Sequence, residues 1–190
     1  MISARGLEKR YGGRRVLAKV DVELGVGGFL LVTGRNGSGK TTLLRVLAGL
    51  TAPDGGELAI PPREQIGYLG HEPLVYRELT PLENLTLFGR LYRIPERRER
   101  VGMLLERFGL WERRNERVST FSRGMQQRLG LCRVLLHDPR LLLLDEPYNA
   151  LDGEGAALLD ATLDETRTWV VATHEPDRVE QRATQRLVFG

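Results

Sequence analysis

The stretch GRNGSGKTT, residues 34–42, decides the fold of this 190-residue chain. It fits the pattern G-x-x-x-x-G-K-[ST], and it lies between a continuous apolar run, GGFLLVTG, and a segment of helical periodicity, KTTLLRVLAGL. Glycines allow such a loop to turn its backbone N–H groups inward, where the helix N-terminus adds partial positive charge. The stretch therefore predicts a nucleotide-phosphate cradle, in which Lys40 reaches the β- and γ-phosphates and Thr41 ligates Mg²⁺.

A second apolar run, RLLLLDE, ends in two acidic residues, Asp145 and Glu146. Its continuous leucines are typical of a strand that is buried on both faces of a parallel sheet. At the end of such a strand, Asp145 is placed to hold the Mg²⁺ shell and Glu146 to polarise an attacking water. A simple phosphoryl-transfer kinase would not need the second acid.

A third motif, FSRGMQQR at residues 121–128, predicts the start of a helix. Ser122 suits the N-cap, and Gly124 leaves backbone N–H groups open to an anion. An ordinary helix start would look the same in isolation. One nucleotide does not need two helix N-termini so far apart in the chain, however, unless they come from different subunits.

Composition restricts the class of protein. The chain is 41% hydrophobic and 28% charged, as soluble globular proteins are, and no apolar run approaches the roughly 18 residues of a membrane span. The N-terminus lacks the apolar core of a secretory signal. The single cysteine, Cys132, excludes an internal disulfide, favours a reducing compartment and predicts a buried structural thiol.

Basic residues cluster at residues 93–118, and the net charge is +3 with a pI of about 9.3. Such a cluster could mark a nucleic-acid surface. Acidic residues are interleaved throughout it, which is the pattern of a solvated helix face. We therefore expect no nucleic-acid partner.

The order of the predicted elements indicates an α/β protein with a helical insert. Strands dominate residues 1–33, helices dominate residues 81–137, and a helix at about 153–166 lies between the later core strands. A strand, TWVVAT, a short helix and a last strand, QRLVF, complete the chain. We predict a single domain over residues 1–190. Its core comprises about 1–70 and 139–190, and its helical subdomain about 72–138.

These motifs resemble those of the ATP-binding cassette (ABC) ATPases, in order and over nearly the whole chain. GRNGSGKT is similar to their Walker A motif, LLLLDE to Walker B and FSRGMQQR to the signature that is usually LSGGQ. NALD resembles the D-loop, with Asp152, and VVATHE resembles the segment that carries the switch histidine, His174. The resemblance implies a P-loop NTPase of the ABC type, with a mostly parallel core sheet, an N-terminal antiparallel β-subdomain and a helical insert, that uses ATP and Mg²⁺.

The resemblance also assigns roles to residues. It makes Glu146 the general base, His174 the γ-phosphate sensor and Lys40 a catalytic cation, and it places Thr41, Asp145 and His71 at Mg²⁺. Tyr11 would stack on adenine. The full set that it assigns to the nucleotide is Tyr11, Gly34, Asn36, Gly37, Ser38, Gly39, Lys40, Thr41, Thr42, Ser122, Gly124 and Gln126. The signature departs from the usual residues at Phe121, Arg123 and Met125, but it retains Ser122 and Gly124.

The family also implies partners. Two copies, or one copy and a related ABC subunit, would face each other head to tail, with Ser122 and Gly124 of one covering the γ-phosphate held by Lys40 of the other. A transporter ATPase would need separate integral membrane subunits, which dock on the helical insert, and would sit peripherally on the cytoplasmic face of the membrane. Soluble ABC proteins of DNA repair carry a long coiled coil, and those of translation usually carry paired cassettes. Neither arrangement fits 190 residues. A P-loop kinase would not explain Ser122, Gly124 or His174.

The stretch GYLGHEP, residues 67–73, offers His71 and Glu72 as a metal-ligand pair, an acid–base pair or a polar exit from a strand. In the family it corresponds to the Q-loop, with His71 at the usual glutamine position. We therefore hypothesise that His71 senses nucleotide state for the membrane partner. This stretch and the small size are similar to the ATP-binding subunit of the bacterial cytochrome c-type biogenesis haem exporter. The alternative is another small exporter, such as an ABC-2-type system.

Overall fold

A computed structural model describes all 190 residues. The strands are β1 (Ile2–Tyr11), β2 (Arg14–Leu24), β3 (Phe29–Gly34), β4 (Gly55–Ala59), β5 (Ile66–Leu69), β6 (Leu141–Asp145), β7 (Thr168–Ala172) and β8 (Gln185–Phe189). The α-helices are α1 (Lys40–Leu47), α2 (Pro81–Leu91), α3 (Arg97–Arg107), α4 (Arg123–Leu135) and α5 (Gly153–Asp160). No helix has the length and apolarity that a membrane crossing demands.

The core is a five-stranded sheet in the order β5-β6-β7-β3-β8. Strand β3 pairs in parallel with β7 and β8, and β6 pairs in parallel with β7. Every residue of β6 and β7 is buried, which explains why their sequences are continuously apolar rather than alternating. The predicted α/β class with a parallel core sheet is confirmed.

A separate three-stranded sheet, in the order β2-β1-β4, is antiparallel. Strands β1 and β2 meet at a two-residue turn, Gly12 and Gly13, whose φ angles are 53° and 82°. Positive φ at both central residues is the geometry that suits a tight hairpin, and glycine adopts it without strain. The predicted N-terminal antiparallel β-subdomain is thus present.

The chain divides into two compact units. The first comprises Met1–Tyr68, Arg140–Pro147 and Glu165–Gly190, and the second comprises Leu69–Pro139 and Tyr148–Asp164. We predicted that the core includes residues 139–190, and in this division residues 148–164 belong to the second unit. That segment joins the helical unit because buried Arg128 of α4 binds Asp152 and Glu154 at the start of α5.

Two local expectations also need correction. The helix predicted to run to residue 166 ends at Asp160. Beyond it, Thr162 N–H bonds back to Leu159 at i−3, and the Thr162 hydroxyl donates to the Leu158 carbonyl. Such side-chain bonding competes with helix continuation. The short helix predicted after β7 is a pair of 3₁₀ turns, Pro176–Arg178 and Glu180–Arg182.

The second unit is built on α2, α3 and α4. Helix α2 begins with a capping box, in which the Thr80 hydroxyl accepts from Glu83 N–H while the Glu83 carboxylate accepts from Thr80 N–H. Helix α4 is buried continuously from Gln127 to Leu135. Cys132 lies within that stretch, fully buried as predicted, and burial raises the pKa of its thiol.

One buried amide holds the chain before α2. Asn84 is fully buried; its Oδ1 accepts from Tyr76 N–H at 2.8 Å, and its Nδ2 donates to the Tyr76 carbonyl at 2.9 Å.

Replacing Asn84 by Leu removes both partners from the Tyr76 peptide groups. We expect the free energy of unfolding, measured by urea denaturation, to fall by about 1–3 kcal/mol. The control is Asn115→Leu at an exposed position, and an equal loss there would contradict the role of these hydrogen bonds.

Candidate active site

The loop between β3 and α1 has a backbone that requires glycine at two places. Gly34 has a φ of 144°, and a Cβ there would lie 2.5 Å from the Phe189 carbonyl oxygen. Gly39 has a φ of 118°, and a Cβ there would lie 2.9 Å from the Val16 carbonyl oxygen. Helix α1 follows with no side-chain cap and no acidic residue in its first turn. Its first N–H groups and its dipole therefore favour an anion at the loop.

Two polar groups in this loop suit phosphate oxygens. Lys40 is 6% exposed, and its Nζ donates to the loop's own carbonyls, at 2.7 Å to Gly34 and 3.4 Å to Arg35. The Ser38 hydroxyl oxygen is buried and has no hydrogen-bond partner. A buried unpaired hydroxyl costs free energy, and an acceptor oxygen of a ligand would relieve that cost. The loop therefore fits a phosphate group on its own geometry.

Thr41 and Asp145 form the next pair. The Thr41 hydroxyl donates to Asp145 Oδ2 at 2.6 Å, and Asp145, 2% exposed, ends β6. These are two hard oxygens side by side. Mg²⁺ is commonly held by one or two protein oxygens together with phosphate oxygens and water. The donor set of Thr41 and Asp145 therefore fits Mg²⁺.

Glu146 lies between a histidine and a lysine. Its Oε2 is 2.8 Å from His174 Nδ1, and its Oε1 is 3.8 Å from Lys40 Nζ. Glu146 also has a φ of 50°, an uncommon conformation for a residue other than glycine, fixed by the hydrogen bond from its N–H to the Ala172 carbonyl at 2.8 Å. Strained backbone of this kind is concentrated at functional sites. The carboxylate is thereby held between the His174 imidazole and the Lys40 ammonium group.

The remaining predicted residues of the first unit lie on β1, the loop and α1. Tyr11 ends β1 with its ring 49% exposed, and Lys9 Nζ lies 5.6 Å from the ring centroid. Asn36 and Gly37 are exposed in the loop, and Thr42 is half-buried in the first turn of α1. Tyr68 was not predicted. Burial and the charge of Asp145 raise the pKa of its phenol.

The second unit holds the signature residues. Ser122 is the N-cap of α4, and its hydroxyl accepts from Met125 N–H at 3.2 Å. The first turn of α4 has no acidic residue, so its N-terminal charge is unopposed. Gln126 was predicted to contact nucleotide. Its side-chain Nε2 donates to the Phe121 carbonyl at 3.0 Å, so this amide group holds the start of the helix in place, and the contact with nucleotide remains a prediction.

Asp152 has two partners within the second unit. It is the N-cap of α5, where its Oδ1 accepts from Gly155 N–H at 2.8 Å, and the same oxygen accepts from Arg128 Nη2 at 2.6 Å. The bond from Gly155 and the Arg128 guanidinium both lower the pKa of Asp152. The sequence did not point to Arg128, because its partners are 24 and 26 residues away and no local pattern joins them.

His71 and Glu72 follow β5 in a bend. Both side chains are exposed and neither makes a hydrogen bond or an ion pair. The structure thus places them at a polar exit from the strand, one of the three interpretations of this stretch. The assignment of His71 to Mg²⁺ and to nucleotide sensing remains a prediction.

The geometry thus separates the predicted residues into two sets. In the first unit the structure brings together Lys40, Thr41, Asp145, Glu146 and His174. In the second unit it brings Ser122 and Gly124 to the turn that carries Asp152, since a Cβ on Gly124 would lie 2.6 Å from the Ala150 carbonyl oxygen.

Comparison with known proteins identifies the family of this chain. The model of the ABC transporter family matches residues 17–149. The cytochrome c biogenesis ATP-binding export protein CcmA of Cupriavidus necator is 39% identical over 188 residues, covering 92% of this chain and 83% of that protein. The daunorubicin resistance ATP-binding protein DrrA3 of Streptomyces coeruleorubidus is 40% identical over 168 residues and covers 82% of this chain. This chain spans 53% of DrrA3 and 55% of the uncharacterized ABC transporter ATP-binding protein YxlF of Bacillus subtilis, which is 40% identical over 162 residues.

Solved structures agree with the sequence relatives. An ATP-binding subunit of an ABC transporter superposes with a TM-score of 0.89 at 27% identity, covering 99% of this chain and 85% of that one. The ATP-binding cassette MJ0796, solved as a dimer in a post-hydrolysis state bound to ADP and Pi, gives a TM-score of 0.88 at 27% identity, with coverage of 100% and 94%. The resemblance predicted from the motifs is confirmed: this chain belongs to the ABC transporter family of ATP-binding proteins and is an ABC-type ATPase.

Proposed function

We propose that the chain is the ATP-hydrolysing subunit of a membrane exporter, acting on the cytoplasmic face as a dimer that closes around ATP. One observation carries the proposal. Glu146 is held 2.8 Å from His174 and 3.8 Å from Lys40, beside the Thr41–Asp145 pair. This arrangement offers a base, a cation and two metal-compatible oxygens at one edge of a parallel sheet, where α/β proteins bind their ligands.

Phosphate binding begins with groups that already face the loop. Lys40 exchanges its bonds to the Gly34 and Arg35 carbonyls for the β- and γ-phosphate oxygens, and Ser38 gains an acceptor. Thr41 and Asp145 are the protein oxygens that would hold Mg²⁺. When bound, the ion neutralises charge that develops on the phosphoryl oxygens. The Tyr11 ring supplies an exposed aromatic face for the base.

Hydrolysis requires a water molecule beside the γ-phosphate. Glu146 is the base that takes a proton from this water, and its low exposure of 11% strengthens the interaction. His174 Nδ1 donates to the Glu146 carboxylate and keeps it oriented. The strained backbone of Glu146 restricts where the carboxylate can lie, so the base is positioned before ATP arrives.

The second half of the site would come from another copy. The start of α4 offers Ser122 and free N–H groups with no competing acid in the first turn. An anion satisfies such a helix end. The dimeric state of MJ0796 supports this arrangement, because the superposition of the two proteins covers 94% of the MJ0796 chain. A γ-phosphate held by Lys40 of one copy would then be covered by Ser122 of the other, and hydrolysis would release the pair.

The exported molecule is a finer question. Similarity to CcmA, which extends over 83% of that protein, supports a role in haem export during cytochrome c biogenesis. The second candidate is another small exporter, supported by similarity to DrrA3 and to the macrolide export protein MacB 1/2 of Paracoccus denitrificans. Isolation of the affinity-tagged chain from the cells that produce it, followed by identification of its membrane subunits, separates the two. Recovery of no membrane subunit would contradict the transporter assignment.

Replacement of the base tests the catalytic assignment. Glu146→Gln keeps the side-chain shape but cannot accept the proton, so we expect phosphate release to slow by about 10²–10⁴-fold. ATP affinity should be retained, and the variant should elute as an ATP-dependent dimer in size-exclusion chromatography. Glu64→Gln, at an exposed acid, is the matched control. Hydrolysis by Glu146→Gln at a rate near that of the unmodified protein would refute the assignment.

Replacement of the α4 N-cap tests the role of a second copy. Ser122→Arg places a long cationic side chain at the helix start, where it would block the approach of another nucleotide site. We expect ATP hydrolysis to be lost while fluorescent-ATP binding by the monomer is unchanged. Ser119→Arg, at an exposed position three residues earlier, is the control. Loss of nucleotide binding by monomeric Ser122→Arg would show that the cross-subunit arrangement is wrong.

His71 is tested with the membrane subunits present. We expect His71→Ala to reduce the stimulation of ATPase activity by those subunits by about fivefold or more, the scale of a typical coupling free energy. His71→Gln restores the amide that the family usually has, so it should preserve stimulation. ATPase assays of the reconstituted complex measure both. Unchanged basal and stimulated rates in His71→Ala would exclude the sensing role.

A further inference from the structure

A buried arginine joins two segments of the second unit that lie far apart in the chain. Arg128, on α4, is 7% exposed. Its Nη2 donates to Asp152 Oδ1 at 2.6 Å and to Glu154 Oε2 at 3.3 Å. Asp152 Oδ1 simultaneously caps α5 through Gly155 N–H. One guanidinium therefore fixes α4 to the turn that precedes α5.

The backbones of these segments also approach closely. A Cβ on Gly124 would lie 2.6 Å from the Ala150 carbonyl oxygen, and a Cβ on Gly155 would lie 2.9 Å from Arg128 Nε. Ala150 has a φ of 68°, which is unusual for a residue with a side chain. The turn at residues 148–152 is thus held in a strained conformation against the start of α4.

The far end of α5 is anchored as well. The Tyr148 hydroxyl donates to Asp160 Oδ1 at 2.6 Å, which ties the first residue of the turn to the last residue of α5. The turn therefore has a fixed point at each end, Tyr148 on Asp160 and Asp152 on Arg128. It cannot shift along α4 without breaking one of these charge-assisted contacts.

Folding stability alone does not explain why an arginine occupies the buried position 128. Burying a guanidinium is costly, and apolar residues of similar volume are often as stabilising at such positions. The Arg128 Nε is buried without a hydrogen-bond partner, which adds to the cost. The arginine instead restricts geometry, because its planar guanidinium group donates hydrogen bonds only to carboxylates in a narrow range of positions. The best-attested use of a buried charge is to fix the register of two segments.

We propose that Arg128 is a positioning residue that fastens the start of α4 to the turn at residues 148–152, so that Ser122 and this turn reach the nucleotide of a second copy as one rigid piece. The inference rests on the proposed function, in which the α4 start covers a γ-phosphate across the dimer. Arg128 lies less than two helical turns from Ser122, so any loosening of its contacts reaches the phosphate-facing end. Loss of Arg128 would impair closure of the dimer without altering the phosphate loop.

The test is ATP-driven dimerisation of the full chain. Glu146→Gln serves as the background, because it accumulates the ATP-bound dimer. Adding Arg128→Met, which keeps an unbranched apolar side chain but removes the guanidinium group, should raise the dimer dissociation constant about tenfold, the effect of losing one well-coupled pair. Monomer affinity for fluorescent ATP should not change. Amide hydrogen exchange at Leu151, whose N–H bonds to the Tyr148 carbonyl, should accelerate.

Three further variants distinguish positioning from general destabilisation. Arg100→Met removes an arginine that binds the Leu135 and Leu136 carbonyls at the other end of α4, and it should leave dimerisation unchanged. Arg128→Lys retains the charge and should recover part of the lost affinity. Asp152→Asn still caps α5 but weakens the bond to Arg128, so it should reproduce the effect of Arg128→Met.

The outcomes separate this inference from the function on which it rests. If the Glu146→Gln protein fails to dimerise with ATP, the proposed function is wrong. If it dimerises and Arg128→Met dimerises equally well, Arg128 is not a positioning residue. The inference is also overturned if Arg100→Met weakens dimerisation as much as Arg128→Met, or if Asp152→Asn has no effect.

Discussion

The parallel register of β6, β7 and β3 is the constraint on which the site depends. Asp145 pairs with Ala172, and Ala172 pairs with Val32, so β6 and β7 end at the same level and β3 continues for two more residues, to Gly34. A slip of one residue would turn Asp145 to the opposite face of the sheet. Both strands are buried along their whole length, so a slip would also draw a polar residue that flanks the leucines, Arg140 or Glu146, into the buried part of the sheet, which is costly. The leucine run and the acid pair are therefore one feature: the apolar residues set the register that delivers the carboxylates.

Charge pairing explains how so polar a site remains folded. Lys40 is bonded by the carbonyls of its own loop, Thr41 donates to Asp145, and Glu146 lies against His174. Each buried charge thus has a partner in the protein itself, which limits the cost of its burial. The site is therefore organised by its own internal hydrogen bonds.

The sequence predicted what is encoded locally. The loop that leads to Lys40 combines glycine spacing, an apolar strand and a helix within 20 residues, and each feature reports the same local geometry. The separate roles of Glu146 and His174 were predicted from resemblance to a family, but their contact was not, since nothing near either residue indicates the other. Arg128 and the placement of residues 148–164 escaped prediction because both depend on a contact between α4 and the start of α5. The end of α5 was missed because Thr162 bonds to the helix backbone, an alternative that apolar periodicity does not register.

The unusual signature residues form a contact of their own. Arg113 lies over the Phe121 ring, 5.3 Å from its centroid, and Arg113 Nη1 lies 3.3 Å from Met125 Sδ. Two of the three departures from the common motif therefore share one arginine, which also pairs with Glu116. Gly124 has no such freedom, because any side chain there would meet the Ala150 carbonyl. In this chain, the unusual side chains of the motif thus have a partner in Arg113, and glycine lies where the backbone of α4 touches the turn at residues 148–152.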